Sequence, residues 1–451
     1  MHQQSTLCIL IASLAIAPAA LAGVSAEDAN KLKTTLTPLG GERAGNKDGT
    51  IPPWEGGLTK PTPGYKNGDP RPDPFPGEKP SFAISAKNMA QYDAKLTDGV
   101  KALLKKYPDF RLDVYPTHRT AAAPQYVYDN TFKNATRAKL SEGGHGTEGA
   151  YGGIPFPIPK DANEVIQNFR LSWIGHYTDA QVRVWVVTAD GKRSMASGGV
   201  QTYRRQYYAP DDSLDKLDGY HTLLKFVATE PGSKAGEAIL VHDNLNASAQ
   251  RSVWQYLVGQ RRVRKAPSVG YDTPDSVTSG IGLFDEAFML LGPIDKHDLK
   301  LVGKKEIYVP YNNNRAATAK VAELVTPNTL NPSQVRWELH RVWEVEATLQ
   351  AGKRHVVPKR KYYIDEDSWQ ILLVDGWDGK GDLWRISYTL TLTAPDLPAL
   401  LGNVMWGGYD LQSGAYFLNM ASNELPTQYK TVPPIPKSAF SPEALANEGT
   451  R

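Results

Sequence analysis

The chain has 451 residues, 41% of them hydrophobic and 10% aromatic, with one cysteine and a formal net charge of +3. That length and apolar content suffice for one very large or two ordinary packed domains, and the near balance of charge argues against a nucleic-acid partner. Cys8 falls in an N-terminal leader, so the rest of the chain has no thiol for a disulfide or a zinc site and must be stabilised by a core.

Met1 to Ala22 contain no Asp, Glu, Lys or Arg, and Leu7 to Ala20 form a largely apolar run. The run ends in Ala20-Leu21-Ala22, the small-x-small pattern cut by signal peptidase. The expectation is an exported chain whose mature form starts at Gly23 and carries no acyl group, because Cys8 opens the apolar run rather than following it. No later apolar run reaches transmembrane length.

Ser25 opens a short helix with Ala29, Leu32 and Leu36 on one face, stopped by Pro38. From Pro52 to Pro80, prolines and glycines exclude helix and central strand. Trp54, Tyr65 and Phe75 predict that this segment is a strap lying over a surface, since a free linker has no use for large aromatics. Ser85 predicts the cap of a helix with Met89, Tyr92, Leu96, Val100, Leu103 and Leu104 at three- and four-residue spacing, ended by Tyr107-Pro108. A glycine-rich stretch, 142–153, leads to Ile154-Pro-Phe-Pro-Ile-Pro159 and a short helix capped by Asp161.

Strand signals dominate thereafter, over 182–188, 200–208, 222–228, 237–241, 252–258, 305–309, 335–349, 355–364, 369–374, 383–392 and 414–420. Asp190-Gly191, Pro231-Gly232, Gly352-Lys353 and the glycines at 376, 379 and 381 punctuate them as hairpins. The predicted fold is mainly β with a few helices: an N-terminal region of helices and strap over 23–160, and an antiparallel meander over 161–451, forming one unit.

Within the meander, Val335, Trp337, Leu339, Arg341, Trp343, Val345, Ala347 and Leu349 alternate with Arg336, Glu338, His340, Val342, Glu344, Glu346 and Thr348. At strand rise this run spans roughly 50 Å, so the sheet must curl or the strand must bulge. A curled sheet lined with tryptophan encloses an apolar body, either its own helix or a ligand. The candidate cavity residues are Trp337, Leu339, Arg341, Trp343 and Val345, joined by Trp254, Trp384 and Ile386 from other strands. Arg341 stands out in an apolar row, and either a buried carboxylate or a ligand headgroup must pair it. The intervening glutamates are expected on a solvated outer face.

Arg261, Arg262, Arg264 and Lys265 read as a solubilising edge strand or, functionally, as a docking patch for a membrane or an acidic partner. The histidines form no HxH or HExxH pattern, the glycines of 142–146 lack a GK[ST] ending, and no GxSxG elbow is present. No cofactor is implied. Glu338, Glu344 and Glu346 with Asp365-Glu366-Asp367 offer paired carboxylates for a glycosidase, but opposite the tryptophan row.

Seven segments together resemble one known family: DGTIPPWEGGL at 48–58, VYPTHRT at 114–120, GGIPFPIPK at 152–160, GYDTPD at 270–275, GKKEIYVPYN at 303–312, ELHRVWEVEATL at 338–349 and YIDEDSW at 363–369. The family is the proteobacterial periplasmic one catalogued as domain of unknown function 1329, often labelled outer-membrane lipoprotein-sorting-like. The resemblance implies a LolA/LolB-like fold, an open antiparallel half-barrel around short helices with acyl chains in the cavity between. It also implies a setting beside outer-membrane channel proteins and resistance-nodulation-division type exporters. The leading expectation is a monomeric, non-enzymatic periplasmic carrier or adaptor for a lipid or other hydrophobic molecule. A docking module and a glycan or lipid hydrolase are the alternatives.

Overall fold

The computed structural model describes residues 23–249, 251–266 and 270–448, and the predicted leader with its cleavage site lies outside them. In chain order the N-terminal region holds α1 (Ala26–Asn30), β1 (Phe82–Ile84), α2 (Asp98–Lys106), β2 (Leu112–Val114) and α3 (Gln125–Arg137). The small pair β3 (Lys139–Leu140) and β4 (Thr147–Glu148) precedes α4 (Ala162–Arg170). A first meander follows: β5 (Tyr177–Val187), β6 (Arg193–Arg204), β7 (Tyr220–Glu230), β8 (Ala238–Asn244), β9 (Ser252–Leu257) and β10 (Arg262–Lys265). A crossover reaches β11 (His297–Pro310), and α5 (Asn314–Thr318) and α6 (Val321–Leu324) lead to the second meander. This comprises β12 (Trp337–Leu349), β13 (Lys359–Asp365), β14 (Ile371–Trp377) and β15 (Leu383–Thr389). After the separate hairpin β16 (Leu392–Ala394) and β17 (Ala399–Leu401) come β18 (Trp406–Asp410), β19 (Tyr416–Ala421), β20 (Lys430–Thr431) and α7 (Pro442–Glu448).

The two meanders join where β19 pairs with β5, giving one sheet in the order β11-β12-β13-β14-β15-β18-β19-β5-β6-β7-β8-β9-β10 with antiparallel neighbours throughout. A parallel bridge between Val114 and Trp337 attaches β2 and, through it, β1. Among the described residues β10 pairs only with β9 and β11 only with β12, so the sheet is an open half-barrel. Its curl follows from α4, which packs against β11 and β12 while Arg170 at its C-terminus donates to the carbonyls of Asn244 and Leu245 at the end of β8. Flat, β11 and β8 would stand roughly 48 Å apart at the ordinary strand spacing. A nine-residue helix is only about 13 Å long, so the sheet must wrap around it. No helix among the described residues is long and apolar enough to cross a membrane.

The long strand is β12, and the irregularity expected of it lies in its partner β11, which bulges between Leu301 and Gly303, with Gly303 at φ 133°. The solvated outer face expected for β12 is corrected by the structure: Glu338, His340 and Glu344 are buried. Glu338 is tolerated there because it accepts from Asn312 Nδ2 at 2.9 Å and the His118 backbone N–H at 2.9 Å, pairs with Arg336 and lies 3.0 Å from His340 Nε2. The single helix expected after Ser85 is two: a 3-10 segment over Met89–Lys95, then α2, capped by Thr97 Oγ1 accepting from the Val100 N–H. The break seats Gly99 on β14, where a Cβ would come within 2.2 Å of Asp375 Oδ1. Helix α3 escapes hydrophobic periodicity because Thr131 and Asn134 occupy its buried face, Asn134 donating to the carbonyl of Gly153 at 3.1 Å.

The proline-rich segment does lie on the folded surface, as its aromatics require. Trp54 is buried and donates to the Ala121 carbonyl, Phe75 stacks on His118 at 3.8 Å, and Arg71 makes a bidentate pair with Asp396. Ahead of it, Arg119 grips Asp367 with bonds of 2.8 and 2.6 Å and turns its remaining donors on the carbonyls of Glu42 and Pro52. Arg341 pairs with Glu366 at 2.7 Å and donates to the carbonyl of Ala44 at 2.6 Å. Removing one partner of a buried pair costs about 3–5 kcal/mol because the other is stranded. Arg119→Met should reach that range, since Asp367 has both oxygens on Arg119. Arg341→Met should cost less, because Glu366 retains Lys304 at 2.8 Å and Arg119 at 3.5 Å. Urea unfolding of the two variants checks the order, and equal losses would contradict it.

Asp375 is wholly buried, and burial pushes its carboxyl up to about 7 although the Gly99 N–H and Thr97 hydroxyl oppose this. The unfolded value is near 3.9. Between the two values the native state holds a proton that the unfolded chain has lost, so this residue's contribution to stability falls as pH rises from about 4 to about 7. Asp375→Asn should remove that slope, on the order of 3 kcal/mol over the window. Parallel unfolding curves for parent and variant at pH 4.5 and 7.5 would contradict the assignment.

Candidate functional site

Where the sheet wraps α4, a cavity of about 130 Å³ remains. That is close to the ~150 Å³ of an engineered apolar cavity able to take benzene. Asp161 positions one wall by capping α4, its carboxylate accepting from the Glu164 N–H at 3.0 Å, so that Phe169, Arg170 and Leu171 face the sheet. The opposite wall comes from Tyr203 on β6, Leu224 on β7 and Met420 on β19, with Tyr207 and Tyr208 from the turn after β6. Tyr208 is fixed by its hydroxyl, which donates to the Leu171 carbonyl. The crossover supplies Phe288, Leu290 and Leu291 as a cover. The rim, at Asn246, Ala249 and Gly292, is partly exposed.

Two buried ion pairs pin that cover. Asp285 takes a bidentate grip from Arg360 and lies 2.9 Å from His355 Nε2, while Glu286 is gripped by Arg385 at 2.8 and 2.6 Å. Between these pins and the cavity the backbone is strained, with Phe288 at φ 53° and Met289 at φ 73°. Asn403 at φ 56° and Met420 at φ 57° also line the cavity. Left-handed conformations of this kind cost about 1–3 kcal/mol each and concentrate at ligand clamps and switches. Three of them around one void mark it out from the rest of the core.

The polar side of the cavity carries Arg170, Arg205, Arg251, His221 and Asp243. Arg251 and Asp243 form a bidentate pair, and Arg251 holds the Asp243 carboxyl down against the effect of burial. His221 is pulled down to about 3 by burial and the nearby Arg170, so it is neutral at any physiological pH. Burial lowers Arg170 to about 10, with Asp243 nearby opposing the shift and Arg251 adding to it.

None of the eight residues expected at an apolar cavity lines this one. Leu339 and Val345 are packed in the core, and Trp343 lies parallel to Trp369 at 6.3 Å beneath the Lys304 ammonium. Trp337 and Ile386 border a second void of about 30 Å³ with Val100, Leu103 and Tyr388, a space the size of one water. Trp254 meets His242 at 4.9 Å, and Trp384 donates to Asp410 at 2.9 Å. Arg341 is in the ion pair described above. Arg262, Arg264 and Lys265 are exposed on edge strand β10, with Arg261 in the turn before it. The residues that could hold a cation are His340, Asp365 and Asp367, whose ligand atoms lie within 4.8 Å of one another, but Arg119 already occupies both oxygens of Asp367.

The cavity residues were hidden in the sequence because they come from α4, four strands, several connecting segments and the crossover. The one local signal is Tyr203-Arg-Arg-Gln-Tyr-Tyr208, an arginine and tyrosine cluster at the end of a strand.

Fold and cavity together define a mainly β protein of the open half-barrel kind. The chain belongs to the family described as protein of unknown function DUF1329, which it matches over residues 83–446. It is 39% identical over 452 residues to the uncharacterized protein PA3922 of Pseudomonas aeruginosa, covering 97% of this chain and 96% of that one. Among solved structures it is similar to a Vibrio parahaemolyticus domain described as outer membrane lipoprotein-sorting, at 14% identity and a TM-score of 0.43, over 63% of this chain and 97% of that one. It is also similar to a LolA superfamily protein of Nitrosomonas europaea, at 11% identity and a TM-score of 0.35, over 63% and 98% of the two chains.

Proposed function

We propose that this protein is a non-enzymatic periplasmic carrier or adaptor that holds a hydrophobic molecule in the cavity between α4, the sheet and the crossover. The observation that carries this reading is the cavity itself, a largely apolar space with one charged side, bounded by strained backbone and covered by a segment pinned at Asp285 and Glu286. A void of about 130 Å³ takes a ring or part of a chain, so a longer ligand extends through the rim or displaces Phe288 and Leu291 of the crossover. Of the carboxylates that the sequence offered for hydrolysis, Glu338, Glu366 and Asp367 are committed to arginines away from the cavity.

In this reading the mature chain is a monomer, and its cargo passes between envelope partners such as an outer-membrane channel and a resistance-nodulation-division type exporter. The exposed row of Arg262, Arg264 and Lys265 is the surface for meeting an acidic partner or membrane, and the same charges deter strand addition at this edge.

The neutral apolar dye N-phenyl-1-naphthylamine tests the site. Its fluorescence should rise with the parent protein, and Leu224→Trp, which fills the cavity, should reduce the effect at least tenfold at unchanged unfolding midpoint. Equal dye uptake by a folded Leu224→Trp variant would place the ligand elsewhere. No uptake by the parent would favour a docking module whose half-barrel is filled by its own helix.

A further inference from the structure

Eight arginines are buried among the described residues, and seven of them form an ion pair with a carboxylate. Arg205 is the exception. It is 7% exposed, donates to Thr178 Oγ1 at 3.0 Å and lies 4.2 Å from the centre of the Tyr203 ring, with no carboxylate in contact. It also lines the cavity.

Beside it, half-buried Arg170 is held only by neutral acceptors, Gln167 Oε1 at 2.9 Å and the carbonyls of Leu245 and Asn244 at 2.9 and 2.8 Å. The cavity wall thus holds three guanidinium groups, Arg170, Arg205 and Arg251, against one carboxylate, Asp243, which Arg251 already engages through both oxygens. His221 adds no compensating charge. Buried cations are ordinarily matched by an anion, and this molecule follows that rule everywhere else. The remaining wall is apolar, with Phe169, Leu224, Leu290 and Met420.

We propose that the cavity takes an amphiphile whose headgroup is an oxyanion, a carboxylate or a phosphate, with Arg205 and Arg170 as the headgroup anchors and the apolar part against Leu224, Leu290 and Met420. The planar fork of arginine suits both headgroups, because each presents two oxygens to parallel N–H donors. This inference rests on the cavity being the ligand site, and it adds a charge preference that an apolar pocket alone would lack.

Displacement of N-phenyl-1-naphthylamine by octanoate, octyl phosphate, octanol, octyltrimethylammonium and inorganic phosphate tests it. Both anionic chains should displace the dye at concentrations at least tenfold lower than octanol, the cationic chain should be weakest, and inorganic phosphate should not compete. Arg205→Met should bring the anionic chains to within about threefold of octanol. Arg205→Lys should recover part of the preference, since it keeps the charge and loses the fork. Equal displacement by octanol and the anionic chains in the parent protein overturns the proposal without need of any variant. So does a preference that survives in both Arg205→Met and Arg170→Gln, or competition by inorganic phosphate as strong as by octyl phosphate, which would make this a bare anion site. If no chain displaces the dye, octanol included, the cavity is not the ligand site and the carrier reading falls with the headgroup assignment.

Discussion

The grip of Arg119 on Asp367 and of Arg341 on Glu366 fixes residues 42–52, the lead into the proline-rich strap, against the turn between β13 and β14, and the rest of the architecture depends on similar contacts. Each arginine has donors left over after its carboxylate, and spends them on carbonyls of residues 42–52. The irregular stretch that leads into the proline-rich strap is thereby ordered by arginine side chains rather than by a ladder of its own. The crossover is fixed on the same plan, by Arg360 on Asp285 and Arg385 on Glu286. Without disulfides among the described residues, buried charge pairs do the cross-linking between layers. Such pairs contribute little net stability when complete but cost much when broken, so they specify where the strap and crossover sit.

The alternation of apolar and polar residues made the strands from Tyr177 onward legible, because a period of two survives even where both faces are covered. It could not show that both faces of β12 are covered. Glu338, His340 and Glu344 look like surface residues in sequence, and only partners as distant as His118 and Asn312 make their burial tolerable. Arg341 was legible as an anomaly, while the choice between ion pair and ligand anchor turned on Glu366, 25 residues away in the next hairpin. Strand β18 went unseen, since Trp406-Gly-Gly-Tyr-Asp410 carries two glycines that propensity assigns to a turn.

The motifs that identify the family fall largely on this charged framework. YPTHR supplies Arg119, ELHR supplies Glu338 and Arg341, and YIDEDSW supplies Asp365 to Asp367 with Trp369, whose indole donates to the Leu39 carbonyl. Family resemblance therefore reports the scaffold. The cavity is built by α4, β6 to β8, β19 and the crossover, and its singular feature is the arginine left without a carboxylate. Strain at Phe288, Asn403 and Met420 and the unmatched charge of Arg205 converge on one space from independent observations.

Native mass spectrometry of protein purified from its own host, followed by solvent extraction, tests most directly whether that space holds a ligand. The structure predicts a co-purified amphiphile at about one per chain, ionising as an anion and released on denaturation. Correctly folded protein that runs at its bare polypeptide mass, with nothing extractable, would contradict a ligand-holding role.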